Sequence, residues 1–589
     1  MNEIIKNRIE EWTNPPFDKD TINEIKLILN QKDEKELTDR FYTILEFGTG
    51  GIRGIIGSGT NRMNIYTVGM ATQGLANYII KKDKGSKGVV IAYDSRKMSD
   101  VFSSEAASIL AANNIRAYIF EDITPTPLCS FAIRELNAVS GIVITASHNP
   151  PEYNGFKAYW EDGGQVIHPF DKEIIDEGKN IDSITKIKKI KFKDGVKSGI
   201  IKIIGKEILS SYLTKLEDST HRSKGESKIK IVYTPLHGTG YKIIPEVLAH
   251  FGFKNISLVK EQSIPDGDFP TVKYPNPEEK EALQLAMELA KKNDADIILA
   301  TDPDADRMGV GFKDHQGNYQ LINGNQIGTM LEYYLLTRLK ERNKLPHNGT
   351  IIKTIVTTDL QEKIAESFNC KYDNVLTGFK WIAMKMKEYE ESGKNVFIYG
   401  GEESYGYLPL GCVRDKDAIS SCYFFAEMTD WLLEKGRGLI DFLNEIYLKY
   451  SLYLEDLHSL TLKGIEGMKQ IKMIINNFRS NPPKEFAGIE ISQIADIQRQ
   501  KIKDMVSGKE QNIEGLPESN VLQFYLKDGT KLTMRPSGTE PKIKFYFSVN
   551  KKVENENIEK GKDDLQKRID LLKDDLMSKI NDKCSNAIV

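Results

Sequence analysis

The sequence predicts an α/β protein: three α/β domains followed by a smaller α+β domain. Three observations predict it. The chain has 589 residues, well beyond what one hydrophobic core serves, so it must divide into domains. Past the first forty residues, short apolar runs alternate with amphipathic helical stretches, the pattern of parallel sheets layered with helices. Near the end this rhythm gives way to closely spaced alternating runs at 521–526, 531–534 and 543–549, which read as antiparallel strands.

Each element follows in order. Residues 1–40 are polar and helical in pattern, broken by a loop at Asn14-Pro15-Pro16. Strands are expected at 88–93, 116–120 and 139–145 in a first α/β domain (41–205), and at 229–233 and 296–300 in a second (206–320). Further strands at 350–356 and 396–399 belong to a third (321–440), and the α+β domain takes 441–589. Two lysine-rich stretches, 179–197 and 221–228, read as boundaries, and 440–517 reads as helical and highly charged. No short-period repeat is present. In open α/β sheets ligands collect where the carboxyl ends of strands run into loops, so those loops are where chemistry is sought.

Composition excludes several classes first. There are 81 basic and 84 acidic side chains, a formal net charge of −3, which argues against a dedicated nucleic-acid or membrane-surface protein. Five scattered cysteines without a Cys-x-x-Cys pair form neither a disulfide framework nor a zinc site. No apolar run is long enough to span a bilayer, and the charged N-terminus lacks the apolar core of a signal peptide. A reduced, cytoplasmic enzyme without nucleic-acid or membrane partners is expected. No Walker-A loop and no Gly-x-Gly-x-x-Gly occurs, which removes the common nucleotide-binding classes.

Four loops carry chemistry. Thr145-Ala146-Ser147-His148-Asn149-Pro150 follows an apolar strand; Ser147 is either a nucleophile activated by a base or cation or a serine capping a turn. Thr301-Asp302-Pro303-Asp304-Ala305-Asp306-Arg307 follows another. Alternate residues share a face, so Asp302, Asp304 and Asp306 converge, and three crowded carboxylates call for a hard cation such as Mg²⁺. An EF-hand fails, because its Gly and Glu positions hold Arg307 and Lys313. Gly400-Gly401-Glu402-Glu403-Ser404-Tyr405-Gly406 offers carboxylates and a hydroxyl suited to sugar hydroxyls, or is an acidic surface turn. Arg535-Pro536-Ser537-Gly538-Thr539-Glu540-Pro541-Lys542 gathers a guanidinium fork, hydroxyls, glycine backbone amides and a lysine, the makings of a phosphate cradle.

A nucleophile loop, a magnesium loop, a sugar loop and a phosphate loop, in that order, resemble the α-D-phosphohexomutase superfamily, and the resemblance covers nearly the whole chain. Gly48-Thr49-Gly50-Gly51-Ile52-Arg53-Gly54 and Thr377-Gly378-Phe379-Lys380 add to it. The family fold sets three similar α/β domains and a C-terminal α+β domain around a central cleft. The resemblance implies that Ser147 carries the transferable phosphoryl group and, with Asp302, Asp304 and Asp306, holds Mg²⁺. It places Arg53, His148 and Lys157 beside the phosphoserine, Lys157 as general acid or base. It assigns Arg307, Thr377, Gly378, Lys380, Glu402, Ser404 and Lys416 to the sugar bisphosphate, and Arg535, Ser537, Gly538, Thr539 and Lys542 to the phosphate that is not being transferred. The implied activity interconverts glucose 1-phosphate and glucose 6-phosphate through glucose 1,6-bisphosphate.

The Glu402-Glu403-Ser404 loop resembles the glucose type, and the Trp12-containing segment resembles bacterial-type members akin to the phosphoglucomutase/phosphopentomutase branch. One departure concerns selectivity. Some glucose-specific relatives carry a His before Arg-x-Lys, where this chain has Gly411-Cys412-Val413-Arg414-Asp415-Lys416. A pentose-phosphate or dual-specificity mutase is therefore the alternative, and an idle sugar-phosphate-binding protein the third reading.

Overall fold

A computed structural model describes residues 2–45, 51–222, 225–462, 464–537, 541–554 and 557–583. The chain forms two compact units, one of residues 1–324, 382–394 and 404–434, the other of 325–381, 395–403 and 435–589.

The first unit opens with helices Glu3–Trp12, Lys19–Gln31 and Glu34–Phe41, each started by an Asn or Asp whose side chain accepts a backbone N–H: Asn2, Asp18 and Asp33. Their apolar faces close on Trp12, Phe17, Ile25, Leu37 and Phe41, with Tyr66 packed against them. A six-stranded sheet follows, in the spatial order Gly51–Ile55, Tyr153–Trp160, Ser140–Ile144, Val89–Tyr93, Ala117–Phe120, Ile201–Ile204. The last four strands run parallel and the first two antiparallel. The β-branched strands Val89–Tyr93 and Ser140–Ile144 are covered by the helices Ser99–Ala112 and Thr126–Glu135, as parallel strands must be.

The second sheet repeats this plan. Ile256–Leu258, Ile231–Thr234 and Ile297–Thr301 are parallel, and Met308–Lys313 and Tyr319–Ile322 extend the edge antiparallel. In both sheets a buried parallel strand leaves through a tight loop and returns antiparallel beside itself. Ser147 sits on the first such loop and Asp302, Asp304 and Asp306 on the second.

The second unit has parallel strands Gly349–Thr354, Lys371–Val375 and Val396–Glu402. It continues into an antiparallel sheet ordered Leu452–Thr461, Lys542–Lys551, Lys531–Pro536, Leu522–Leu526, Ile489–Asp496, Lys501–Asp504, Glu510–Asn512. The C-terminal helix Ile558–Lys583 buries Leu565, Ile569, Leu572 and Leu576 against it.

Two expectations are corrected. The stretch 179–197 is no boundary: the chain passes through it and adds Ile201–Ile204 parallel to Ala117–Phe120 in the same sheet. Among the described residues of 440–517, helix is confined to Leu439–Tyr450 and Gly464–Ser480; the rest is strands joined by turns and loops, including Leu452–Thr461, paired along its length with Lys542–Lys551.

Candidate active site

Strand Ser140–Ile144 delivers Ser147 into the interior of the first unit, 3% exposed, on left-handed backbone at φ 50°. Thr145 holds the turn: its Oγ accepts the Ser147 N–H at 2.8 Å and donates to Asp94 Oδ2 at 2.6 Å. Ser147 Oγ donates to Asp302 Oδ2 at 2.7 Å and lies 3.1 Å from His148 Nδ1. Arg53, on the edge strand Gly51–Ile55, donates to Asn149 Oδ1 at 2.9 Å.

The three aspartates are buried, with one oxygen of each within 4.8 Å of the others. Two lysines neutralise them: Lys157 Nζ is 2.7 Å from Asp304 and 3.2 Å from Asp306, and Lys416 Nζ is 3.2 Å from Asp306 and 3.0 Å from Asp415. Thr126 Oγ donates to Asp304 Oδ2 at 2.8 Å. Asp304 Oδ1 and Asp306 Oδ1 are buried and accept no hydrogen bond from the described residues. Such oxygens are costly to leave dry, and all-carboxylate donors suit a hard divalent cation, so the residues fit a metal.

Charge states follow from these neighbours. Burial, then Asp304 and Asp306, push Asp302 well above the carboxylate range. Burial acts the same way on Asp306, but Lys416, Lys157 and Arg307 outweigh it and hold that group low. Burial works against the charge on Lys157, yet Asp304 and Asp306 raise it overall. Desolvation, Arg307 and Arg53 keep His148 well below the imidazole range, hence neutral at neutral pH.

The aspartate loop is braced from behind. A Cβ on Gly238 would lie 2.3 Å from Pro303 Cα, so only glycine permits this approach, and Thr239 N–H donates to Pro303 O at 2.8 Å. His237 ties the same segment to Ile264 O at 3.0 Å and Thr271 Oγ at 2.9 Å.

The structure thus brings together Ser147, His148, Arg53, Lys157, Asp302, Asp304, Asp306, Arg307 and Lys416 in one unit, where Ser404 also lies. Arg307 Nη1 donates to Glu278 at 2.8 Å. The neighbour of Lys416, Arg414, is buried against Glu390 and the carbonyls of Gly411 and Val413. Burial pushes the Cys412 thiol up to about 12, as an inert cysteine requires.

The second unit holds Thr377, Gly378, Lys380, Glu402, Arg535, Ser537 and Lys542. Glu402 is buried and accepts the Gly378 N–H at 2.8 Å, whereas Glu403 accepts from Thr354 at 3.2 Å and Thr357 at 3.3 Å. Lys380 Nζ lies 5.3 Å from the Trp381 ring centre. Arg535 donates to Tyr546 Oη at 3.4 Å; burial, then Glu403, raises that phenol, with a smaller contribution from Glu402. Ser537 N–H donates to Lys542 O at 2.7 Å. Gly538 and Thr539, and Gly48 to Gly50, lie outside the described residues.

Sequence reasoning missed Asp94, Arg96, Thr126, Glu278 and Asp415. For Asp94 and Arg96 the signal was present: Asp94-Ser95-Arg96 directly follows the apolar strand Val89–Tyr93, the same position that marked the other loops. Arg96 is 2% exposed; burial pushes its guanidinium down to about 10 although Asp94 opposes this, and it stays charged at neutral pH. The others are distant partners, invisible until the chain folds.

Three family models match in succession: phosphoglucomutase/phosphomannomutase alpha/beta/alpha domain I over residues 45–185, domain II over 210–317 and domain III over 323–450. Fold and matches define an enzyme, an intramolecular phosphotransferase with three α/β/α domains and a C-terminal domain of sheet and helix. A phosphoglucomutase of Staphylococcus saprophyticus is 36% identical over 538 residues, covering 91% of this chain and 96% of that protein. Among solved structures, a phosphoglucomutase/phosphomannomutase family protein from Burkholderia thailandensis aligns with TM-score 0.62 at 19% identity, over 90% of this chain and 98% of that one. Parafusin, a phosphoglucomutase from Paramecium, aligns with TM-score 0.63 at 16% identity, over 92% and 96%. The chain belongs to the phosphoglucomutase/phosphomannomutase family of the α-D-phosphohexomutase superfamily.

Proposed function

We propose that this protein interconverts α-D-glucose 1-phosphate and glucose 6-phosphate through a phosphoserine at Ser147 and a glucose 1,6-bisphosphate intermediate. The observation that carries the reading is the 2.7 Å contact of Ser147 Oγ with Asp302, one of three convergent buried aspartates. The 36% identical relative named a phosphoglucomutase supports the choice of sugar.

Asp302, Asp304, Asp306 and an oxygen of the phosphoserine would hold Mg²⁺, which when bound neutralises charge on the phosphoryl oxygens. The free hydroxyl of the incoming sugar phosphate loses its proton as its oxygen bonds to phosphorus, and the bond from phosphorus to Ser147 Oγ breaks. In the second half, once the bisphosphate has turned end for end, Ser147 Oγ gives up its proton and bonds to the other phosphorus, the bond from that phosphorus to the sugar oxygen breaks, and the sugar oxygen takes up a proton. Neutral His148 suits proton acceptance beside Ser147; Lys157, kept charged by two carboxylates, suits donation. Arg53 and Arg307 bring positive charge to the phosphoryl group, and Lys416 contacts the sugar phosphate. Glu402, Ser404, Thr377, Gly378 and Lys380 recognise the sugar, and Arg535, Ser537, Gly538, Thr539 and Lys542 the phosphate that stays. A cytoplasmic location belongs to the same reading. The four described cysteines are free, and among the described residues no helix is long and apolar enough to cross a membrane.

A coupled assay with Mg²⁺ and catalytic bisphosphate, comparing the 1-phosphates of glucose, mannose and ribose, tests this. Glucose should dominate in kcat/KM and Ser147→Ala should abolish turnover. A ribose preference would keep the chemistry and move the substrate, with Cys412, in place of histidine, as the residue to exchange. Full activity in Ser147→Ala would sink the phosphoserine mechanism.

A further inference from the structure

Behind Ser147 lies a group with no part in the scheme above. Arg96 is enclosed by protein, and its guanidinium donates to four backbone carbonyls of a single loop. Nη1 donates to Pro150 O at 2.8 Å and Tyr153 O at 2.9 Å, and Nη2 to the carbonyls of Ser147 and Asn149. Its own backbone N–H donates to Asp94 Oδ1 at 3.0 Å, and the other oxygen of that carboxylate accepts from Thr145. The guanidinium lies 4.9 Å from the centre of the Phe269 ring, on a segment whose Gly267 abuts the backbone of Ser95, Arg96 and Lys97.

This arrangement uses what only arginine has. Its donors form a planar fork of fixed geometry, whereas a lysine offers donors from one point. Four carbonyls between residues 147 and 153 converge on that fork, so their relative positions are set by it. The loop needs such a constraint: a non-glycine residue on left-handed backbone persists only where its surroundings over-determine it, and Ser147 is that residue. The fork also leaves a buried positive charge on the carbonyl of the nucleophile itself. Phosphoryl transfer draws its rate from positioning and electrostatics rather than from new covalent chemistry.

We propose that Arg96 is a positioning residue for phosphoryl transfer, clamping the Ser147 loop through four carbonyls and placing a fixed positive charge behind the phosphoserine. The proposal rests on Ser147 being the phosphoryl carrier. It separates Arg96 from a residue that merely cements the domain, because a clamp acts on the chemical step and leaves distant substrate binding alone.

The test compares Arg96→Ala, Arg96→Lys and Ser147→Ala in the full chain with Mg²⁺ and bisphosphate. Misplacing a reacting atom by an ångström costs about 100-fold, so Arg96→Ala should lose about that much kcat with KM for glucose 1-phosphate within about threefold. Phosphorylation of Ser147 by the bisphosphate, followed by mass spectrometry, should slow in parallel. Millimolar guanidinium chloride should restore part of the rate to Arg96→Ala, and methylammonium should not; Arg96→Lys should stay well below the parent. Parent-like kcat in Arg96→Ala overturns the inference. So does lost activity that tracks a lowered melting temperature and does not respond to guanidinium. If Ser147→Ala keeps its activity, the phosphoserine reading fails instead, and the two failures are distinguishable.

Discussion

Glu332 shows how far burial alone can move a single side chain. It lies in the helix Gly324–Glu341, fully enclosed, and among the described residues neither carboxylate oxygen accepts a hydrogen bond. Burial raises it well above the carboxylate range; Lys353 opposes the shift and Glu362 adds to it. The charge on Lys353 is directed to Asp359 and Glu362, both at 2.9 Å. A carboxyl raised in the folded state binds a proton that the unfolded chain has released. Its stabilisation is therefore complete below the unfolded value and is lost as pH rises toward the folded one. Over that window the parent protein should lose about 1.4 kcal/mol per pH unit from this group alone. Glu332→Gln should remove that slope, so denaturant unfolding of parent and variant should converge within the ordinary carboxylate range and separate progressively as pH rises above it, with the variant favoured. Parallel curves across the range would mean that Glu332 is ionised in the folded protein.

At the scale of elements, the N-terminal helices are held by aromatic packing. Trp12 stacks on Phe17 at 4.4 Å and meets Phe41 and Tyr66 edge-on at 5.9 and 5.6 Å; Tyr66 belongs to the next helix, Ile65–Lys81. Trp12→Ala should cost about 3–5 kcal/mol of local stability, read as faster amide exchange over residues 3–41, while turnover persists because no proposed site residue lies there. Protection as strong as in the parent would show that the aromatic cluster is not what holds these helices. The same contrast between local and distant contacts explains what the sequence made legible. Strands Val89–Tyr93, Ser140–Ile144 and Ile297–Thr301 were readable because parallel strands buried on both faces are unbroken apolar runs. Leu452–Thr461 was not: Tyr453, Leu457 and Leu460 also fit helical spacing, and its partner lies some ninety residues further on, where no local pattern reaches. The site divides the same way. Ser147 and the aspartates were legible from loops at strand ends. Thr126, Glu278 and Asp415 were not singled out, because what they do depends on partners that only the fold supplies.

For the molecule as a whole, the aspartate cluster of the first unit is what a bound cation would complete. Of three convergent buried aspartates, Asp304 and Asp306 pair with Lys157 and Lys416, and one oxygen of each has no hydrogen-bond donor among the described residues. Folding has already met the cost of gathering these charges, so a divalent cation that binds the native site and not the unfolded chain returns free energy to the folded state. At a hundred times its dissociation constant such a ligand contributes about 2.7 kcal/mol, and each kcal/mol raises the midpoint of a domain of 150–250 residues by about 2–4 °C. Magnesium should therefore raise the melting transition of the parent by several degrees, and chelation should reverse it. Asp304→Asn should abolish the shift, since the amide cannot supply a second anionic oxygen, while Glu332→Gln, in the other unit, should retain it. The measurement needs no substrate and no turnover, so it tests the aspartate cluster as a metal site apart from the phosphoserine chemistry proposed for Ser147. A shift of equal size in Asp304→Asn would place the cation elsewhere on the surface. The three aspartates would then be held by Lys157, Lys416, Thr126 and Ser147 without a cation.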